Sequence, residues 1–200
     1  MKTSVKDFLK KNIKKPLENS YWWLYGSSTL KNPKLPVDPR SFLFICKGNI
    51  CRSVFAQGLA VKIAGEKGIL DAVFDSAGLE VSRAMPPPVE ALIAAREFGV
   101  TLDDYRSKRI SREMVRSYDM VIAMEAWQLE VLKRLLPQRK DRFFLLSLFD
   151  EDGGNTRDRF SIYNIEDPFR KDLARFRACY ERIGKCLAVL FGQLSSGAKN

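Results

Sequence analysis

Short apolar segments alternate with amphipathic ones from residue 42 onward. The longer segments repeat their apolar residues every three or four positions, which is the period of an α-helix. Four of the short segments have the length and the bulky residues of buried β-strands. They cover residues 42–45, 73–78, 120–124 and 143–146. Strands separated by helices predict an α/β fold with a parallel sheet, helices on both of its faces and right-handed crossovers.

Several helix ends are visible in the sequence. The prolines at 86–88 precede a helix that stops near Gly99, because proline is well placed in a first helical turn. Ser111 is predicted to cap a short helix, since serine is a favoured N-cap residue. Pro137 is expected to close the helix that follows the third strand.

The last predicted helix is the longest and carries one apolar stripe. Its members are Leu173, Phe176, Tyr180, Ile183, Leu187, Leu190 and Leu194. A coiled-coil seam and a helix that lies along a sheet need the same stripe. We favour the second interpretation, and we expect Cys179 and Cys186 on this helix to be core residues.

Composition limits the possible chemistry. The 200 residues, 46% of them apolar, suffice for one α/β core and an extension. No apolar run is long enough to span a membrane, and the basic N-terminus lacks a hydrophobic signal region, so we expect a cytoplasmic protein. Four cysteines without metal-ligand spacing agree with a reducing compartment. Because histidine is absent, Ser-His-Asp and Cys-His catalysis and His-ligated metals are excluded, and no metal or cofactor is predicted.

Residues 1–40 form a predicted extension ahead of a catalytic domain at 41–200. The extension holds nine Lys or Arg against three Asp or Glu and so carries most of the net charge of +10. A basic amphipathic helix is predicted before Pro16, followed by an aromatic cluster at 21–25. The extension could contact an anionic membrane surface or a partner, or it could fold back onto its own domain. No recognised nucleic-acid module is present, so no nucleic-acid partner is predicted.

The segment 42–53, FLFICKGNICRS, carries the candidate chemistry. A buried strand leads directly into Cys46, and Gly48 interrupts the pattern before a helix opens at Arg52. A short loop that closes onto a helix N-terminus can direct several backbone N–H groups at one anion. The same field favours a thiolate over a thiol, which makes Cys46 a candidate nucleophile.

Two side chains at the helix start fit this chemistry. Arg52 offers a planar fork of donors that can bind two oxygens of one anion, and Ser53 can hydrogen-bond the sulfur of Cys46 and stabilise it as a leaving group. The loop residues of the candidate phosphate cradle are Lys47, Gly48, Asn49, Ile50 and Cys51. The alternative is an ordinary strand and turn in which both cysteines are small buried hydrophobes.

The motif ICKGNICRS resembles the N-terminal signature of low-molecular-weight protein tyrosine phosphatases, and the likeness extends from about Phe42 to Phe191. The resemblance implies a three-layer, flavodoxin-like fold with a four-stranded parallel sheet in the order 2-1-3-4. It also implies hydrolysis of phosphotyrosine in proteins through a phosphocysteine intermediate. On this reading Cys46 attacks the phosphorus and Arg52 clamps the phosphate.

The resemblance also assigns a general acid, which a phenolate leaving group requires. Asp167, in the sequence Glu166-Asp167-Pro168-Phe169, is similar in position to the family's Asp-Pro-aromatic loop. It would protonate the leaving oxygen and then activate water. Without the resemblance, Asp167 would be interpreted as an ordinary helix N-cap before Pro168. Phe169 would wall the cleft and stack on a substrate ring.

Three further roles come from the family. Asn49 resembles the residue that braces the loop, and Ser76 resembles the serine that hydrogen-bonds this asparagine. From the residues alone, a turn-forming asparagine and a strand-end serine remain open. Cys51 resembles the second cysteine of the family, which can form a reversible disulfide with the nucleophile.

The sequence departs from the family at some positions. Val54 stands where proline is usual, and Glu125 stands where aspartate is common. Residues 79–85 lack a tryptophan that many eukaryotic members carry. They resemble the segment of bacterial members associated with exopolysaccharide export, which act on autophosphorylating tyrosine kinases of the membrane. Such a kinase is therefore a candidate partner.

Two other functions are compatible with parts of this sequence. An arsenate reductase of the same fold needs two more cysteines to relay a disulfide, and Cys179 and Cys186 lie on the terminal helix instead of the expected mid-chain segment. A phosphotyrosine-binding module without turnover has no reason to keep Cys46, Arg52 and Asp167 together.

Overall fold

The computed structural model describes residues 30–69, 71–150 and 162–197. Its centre is one sheet of four parallel strands in the order β2-β1-β3-β4. The strands are β1 (Ser41–Cys46), β2 (Val73–Gly78), β3 (Met120–Ala123) and β4 (Phe143–Leu145). The four predicted strands and the predicted order are thus confirmed.

Five α-helices connect or follow these strands in the described part of the chain. They are α1 (Arg52–Glu66), α2 (Val89–Glu97), α3 (Arg112–Ser117), α4 (Ala126–Leu135) and α5 (Leu173–Gly197). Short 3₁₀ helices cover Pro137–Arg142 and Leu146–Phe149. The cap prediction is confirmed, because Ser111 Oγ accepts a hydrogen bond from Met114 N at 3.1 Å. The helix before Pro137 ends at Leu135, as expected from that proline.

The strands bury side chains on both faces, which gives the molecule two apolar cores and three layers. Phe42 and Phe44 point into the core beneath α1, α2 and α5. Leu43 and Ile45, which alternate with them along β1, point into the core beneath α3 and α4. Strands that are covered on both faces read as continuous apolar runs, which explains the pattern at 42–45.

The apolar stripe of α5 belongs to the first of these cores. Its buried members Phe176, Tyr180, Ile183, Leu187 and Leu190 are at most 1% exposed. Helix α5 packs against α1, α2 and the 3₁₀ helix after β4. Phe191 of this helix contacts Phe42 of β1 and Phe74 of β2. The coiled-coil interpretation is therefore wrong, and the interpretation as a helix that lies along a sheet is confirmed. Cys179 and Cys186 are buried there, as predicted.

The carboxyl ends of the strands form the edge that holds the candidate site. Cys46 is the last residue of β1 and pairs with Gly78 at the end of β2. A Cβ atom at Gly78 would lie 2.9 Å from the carbonyl oxygen of Lys47 and 2.6 Å from Cγ2 of Val81. Only glycine fits between this strand end and the loop after β1.

The predicted helix and aromatic cluster of the N-terminal extension lie outside the described residues. Part of the remaining extension covers the sheet edge at β4. Asn32 Nδ2 donates to the carbonyl oxygen of Leu145 at 3.1 Å, and Leu145 N donates to Asn32 Oδ1 at 2.8 Å. Among the helices that the structure describes, none has the length and apolar character needed to cross a bilayer.

Candidate active site

The loop between β1 and α1 wraps around the sulfur of Cys46. Asn49 has a positive φ of 54°, which reverses the chain within the loop. Its backbone N–H donates to Cys46 Sγ at 3.1 Å. Ser53 Oγ lies 3.0 Å from the same sulfur. The structure thus brings Cys46 and Ser53 together as the sequence predicted.

The loop also provides donors for an anion. The amides of Lys47, Gly48, Ile50 and Cys51 have no hydrogen-bond acceptor within the described part of the chain. Helix α1, with 15 residues, begins directly after the loop and has no acidic residue in its first turn. Free amides and the positive end of a helix together make a cradle of the size and sign that a phosphate group requires.

Arg52 is almost completely buried behind this loop, with 1% of its side chain exposed. Its Nη1 lies 3.0 Å from Glu125 Oε2 and donates to the carbonyl oxygen of Ile165 at 2.8 Å. Its Nη2 lies 2.7 Å from Asp167 Oδ2. Burial disfavours the charged guanidinium, but the negative charges of Glu125, Asp167 and Cys46 outweigh it and raise the pKa of Arg52. Arg52 therefore stays cationic beside Cys46.

One edge of the Arg52 guanidinium is not fully used. Its Nε is buried and has no hydrogen-bond partner among the residues that the structure describes. Buried donors without partners are rare in proteins, because the cost of desolvation is not recovered. The Nε–Nη2 edge can bind two oxygens of one anion if Asp167 leaves Nη2. Meanwhile Nη1 stays bound to the Glu125 carboxylate and to the carbonyl oxygen of Ile165.

Asp167 reaches the site although it is distant from Cys46 in sequence. Its loop is joined to the end of β3, because Ile165 N donates to the carbonyl oxygen of Met124 at 2.9 Å. The helix N-cap interpretation of Asp167 is wrong. Helix α5 begins only at Leu173, where Asp172 Oδ1 accepts a hydrogen bond from Arg175 N at 2.9 Å. Asp167 instead accepts from Phe169 N at 3.3 Å and ion-pairs with Arg52.

These elements enclose a cleft of about 170 Å³. The residues that line it are Cys46, Lys47, Gly48, Asn49, Ile50, Cys51, Glu80, Asp167 and Phe169. Phe169 is 42% exposed, so an aromatic face is available at the cleft. Lys47 Nζ and Glu80 Oε2 are 3.6 Å apart, which places an ion pair at the cleft. Gly48 has room for a Cβ atom, so packing does not require a glycine there.

Asn49 is the centre of a hydrogen-bond network that lies beneath the loop. Its Nδ2 donates to Ser53 Oγ and to Ser76 Oγ, both at 2.9 Å. Its Oδ1 accepts from the hydroxyl of Tyr105 at 2.8 Å and from Lys108 N at 2.9 Å. Asn49 and Ser76 are both fully buried. The structure thus places Asn49 and Ser76 in contact, as the resemblance to the family implied.

Cys51 and Cys179 lie close enough to Cys46 to interact with it electrostatically. All four cysteines are free thiols, and Cys51 and Cys179 are buried. Burial raises the pKa of Cys51, and the charges of Asp167 and Cys46 raise it further. Burial also raises the pKa of Cys179, to about 12. Neither thiol is activated as a nucleophile, since the nucleophilic species is the thiolate.

Sequence reasoning assigned no role to three polar side chains that complete the site. Glu125 ion-pairs with Arg52, Tyr105 binds Asn49, and Glu80 lines the cleft. Glu125 gave one usable signal, because it directly follows the third strand and therefore lies at the edge that holds Cys46. Tyr105 and Glu80 gave none, since each lies in a connecting segment without regular pattern.

Comparison with known proteins decides the family. A sequence model described as low molecular weight phosphotyrosine protein phosphatase matches residues 41–200. The chain belongs to this family. The low molecular weight protein-tyrosine-phosphatase Wzb of Escherichia coli (strain K12) is 29% identical over 140 residues, which are 70% of this chain and 85% of Wzb. The predicted family is therefore confirmed, and the reductase and binding-module alternatives are not favoured.

Two solved structures illustrate the fold that this chain shares with known phosphatases. The tyrosine phosphatase AmsI of Erwinia amylovora has a TM-score of 0.66 and 25% identity, and the match covers 78% of this chain and 94% of AmsI. The YwlE arginine phosphatase from Geobacillus stearothermophilus has a TM-score of 0.64 and 26% identity, and the match covers 79% of this chain and 94% of YwlE. The fold thus occurs both in a protein named as a tyrosine phosphatase and in one named as an arginine phosphatase.

Proposed function

We propose that the chain hydrolyses phosphotyrosine in proteins through a phosphocysteine intermediate. One observation carries the proposal: Cys46 and Arg52, at the two ends of the loop after β1, meet Asp167 from a distant segment, and Cys46 and Asp167 line the same cleft. Transfer of a phosphoryl group to water through an enzyme thiol requires a nucleophile, a group that binds the anion and a carboxylic acid.

The first step forms the intermediate. The loop amides and the Nε–Nη2 edge of Arg52 bind the phosphate, which displaces the Asp167 carboxylate from Nη2. The displaced Asp167 carboxylate takes up a proton from solvent. The Cys46 thiolate attacks the phosphorus, the bond from phosphorus to the phenolic oxygen breaks, and Asp167 gives this proton to that oxygen. Phenol leaves, and Asp167 becomes a carboxylate.

The second step regenerates the thiolate. Water attacks the phosphorus of the phosphocysteine, and the Asp167 carboxylate takes a proton from this water. The bond from sulfur to phosphorus breaks, and the electron pair stays on sulfur. Ser53 Oγ and Asn49 N lie within hydrogen-bond distance of Cys46 Sγ and stabilise the departing thiolate. Phosphate leaves, Asp167 returns its proton to solvent, and its ion pair with Arg52 forms again.

The cleft supports tyrosine as the phosphorylated residue. Phe169 and Ile50 line it beside Cys46, so a phenyl ring that enters the cleft meets apolar surface. A serine phosphate is shorter and gains less from this wall. A phosphoarginine, the substrate class stated in the name of YwlE, has no aromatic ring to stack on Phe169.

A peptide phosphatase assay tests the proposal. Phosphate release from matched phosphotyrosine, phosphoserine and phosphoarginine peptides is measured for the wild type, Cys46→Ser and, as a thiol control, Cys186→Ser. We expect turnover of the phosphotyrosine peptide that persists in EDTA, is lost in Cys46→Ser and is retained in Cys186→Ser. An inert wild type, or preference for either other peptide, would contradict the proposal.

The physiological setting is a further part of the proposal. We propose a cytoplasmic catalytic unit at 41–200, with an autophosphorylating tyrosine kinase as substrate and residues 1–40 as a basic arm that contacts an anionic membrane. The support is the charge of the arm. Cosedimentation with vesicles of anionic and of neutral lipid tests the arm. We expect binding only to the anionic vesicles, and its loss when Lys6, Lys10 and Lys14 are changed to Gln.

A further inference from the structure

Tyr105 has no role in the reaction steps described above. It lies in the segment between α2 and α3, and it is not among the residues that line the cleft. Its hydroxyl is nevertheless 2.8 Å from Asn49 Oδ1 and 2.7 Å from Ser76 Oγ. Because Oδ1 can only accept, the phenol donates its proton to Asn49.

Two donors determine which way the Asn49 amide faces. Lys108 N lies 2.9 Å from one amide atom of Asn49, and a backbone N–H can only donate, so this atom is the oxygen. Tyr105 donates to the same oxygen. The amide nitrogen must therefore face Ser53 and Ser76, to which it donates at 2.9 Å.

The orientation of this amide determines where the proton of Ser53 goes. In the described part of the chain, two polar groups lie within hydrogen-bond distance of Ser53 Oγ: Asn49 Nδ2 and Cys46 Sγ. The amide nitrogen accepts no hydrogen bond, so the hydroxyl of Ser53 donates to the sulfur. A flipped amide would offer Oδ1 to Ser53 instead and draw its proton away from Cys46.

We infer that Tyr105 is a positioning residue for the phosphatase reaction. It holds the Asn49 amide so that Ser53 directs its proton at the sulfur of Cys46, when the thiolate attacks and when it departs from the phosphocysteine. The inference rests on the proposed function, since it needs Cys46 as nucleophile. Burial raises the pKa of Tyr105 in spite of its hydrogen bonds to Ser76 and Asn49, so the phenol keeps the proton that it donates.

The variant Tyr105→Phe removes only the hydroxyl. Rapid-quench measurements with a phosphotyrosine peptide give the rates at which the phosphoenzyme forms and is hydrolysed. We expect both rates to fall about fivefold, the effect of one hydrogen bond of ordinary strength. Because Tyr105 does not line the cleft, the inhibition constant of inorganic phosphate should stay within about twofold of the wild-type value.

The matched control is Tyr118→Phe, in which a half-buried phenol loses its hydrogen bond to Asp75 Oδ2. The rates of this variant should equal those of the wild type.

A double-mutant cycle tests the route through Ser53. If Tyr105 acts only by directing the proton of Ser53, then Tyr105→Phe has no further effect in a Ser53→Ala background. We expect the double variant to react as fast as Ser53→Ala alone. Should Tyr105→Phe fail to fold, as judged by urea unfolding, Tyr105→Met lacks the same hydroxyl and enters the same cycle.

Three outcomes would overturn the inference: wild-type rates in Tyr105→Phe, an equal loss in Tyr118→Phe, or multiplicative losses in the double variant. Failure of the proposed function looks different. In that case the wild type does not hydrolyse the phosphotyrosine peptide, or Cys46→Ser retains turnover, and the cycle has no rates to compare.

Discussion

Two hydrogen-bond networks flank the sulfur of Cys46, and they are built differently. The network on one side is charged: Arg52 contacts Glu125 and Asp167. The network on the other side is neutral and centres on Asn49. The amide nitrogen and the amide oxygen of Asn49 each make two hydrogen bonds. Arg52, by contrast, keeps one buried donor without a partner in residues 30–69, 71–150 and 162–197. The neutral side therefore fixes geometry, and the charged side can exchange a partner for substrate.

The charged side combines a fixed carboxylate with one that can leave. Glu125 Oε2 accepts hydrogen bonds from Trp127 Nε1 at 3.0 Å and from Gln128 Nε2 at 2.6 Å, besides its contact with Arg52. Asp167 lies on a loop and is 36% exposed, against 16% for Glu125. An isolated buried guanidinium would be costly. Glu125 stabilises Arg52 while Asp167 moves to the leaving group.

The largest effect is expected on the charged side, from Arg52→Lys. A lysine keeps the charge but cannot bind Glu125, the carbonyl oxygen of Ile165 and two phosphate oxygens at once. We expect kcat/KM for a phosphotyrosine peptide to fall about 10²- to 10³-fold, as for loss of a transition-state donor. Arg177→Lys, at an exposed pair with Glu97, is the matched control and should keep wild-type kinetics. A loss below tenfold would contradict the clamp role.

The next effect separates the two functions of Asp167. Asp167→Asn removes the acid, so kcat should fall about 10²-fold. The same change removes the carboxylate that competes with phosphate for Arg52 Nη2, so the inhibition constant of inorganic phosphate should decrease. Asp172→Asn, at the cap of α5, is the control, because asparagine caps helices as well as aspartate does. Weaker phosphate binding in Asp167→Asn would show that Asp167 does not compete for the anion.

The neutral side should respond mainly through stability. In Asn49→Ala, the donors of Tyr105 and Lys108 lose their acceptor, and alanine must adopt the positive φ. We expect the free energy of unfolding in urea to fall by about 3 kcal/mol and kcat to fall about tenfold. The control is Asn32→Ala, which removes two hydrogen bonds to Leu145 at a position without a positive φ. It should lower the free energy of unfolding by about 1 kcal/mol. Equal losses of unfolding free energy in both variants would mean that the positive φ at position 49 adds no cost to alanine.

The two networks also differ in how far the sequence predicts them. Cys46, Arg52 and Ser53 lie in one segment, so a strand, a loop and a helix start suffice to bring them together. Asp167 was assigned through resemblance, because nothing local distinguishes it from a helix cap. Tyr105 meets Asn49 only where the segment after α2 returns to the sheet edge. Such a contact depends on the packing of distant segments, which hydrophobic periodicity does not specify.

The smallest effect is expected from Ser76→Ala, and it tests how much redundancy the neutral side has. The change removes one acceptor of Asn49 Nδ2, but Lys108 N and Tyr105 still hold Oδ1. We expect Tm to fall by about 3 °C, the effect of roughly 1 kcal/mol in a chain of this size, and kcat to fall no more than about threefold. Ser117→Ala removes a serine that donates to Met114 O on α3, and should leave kcat unchanged. A fall in kcat as large as that of Asn49→Ala would mean that Ser76, and not the two donors on Oδ1, sets the orientation of the amide.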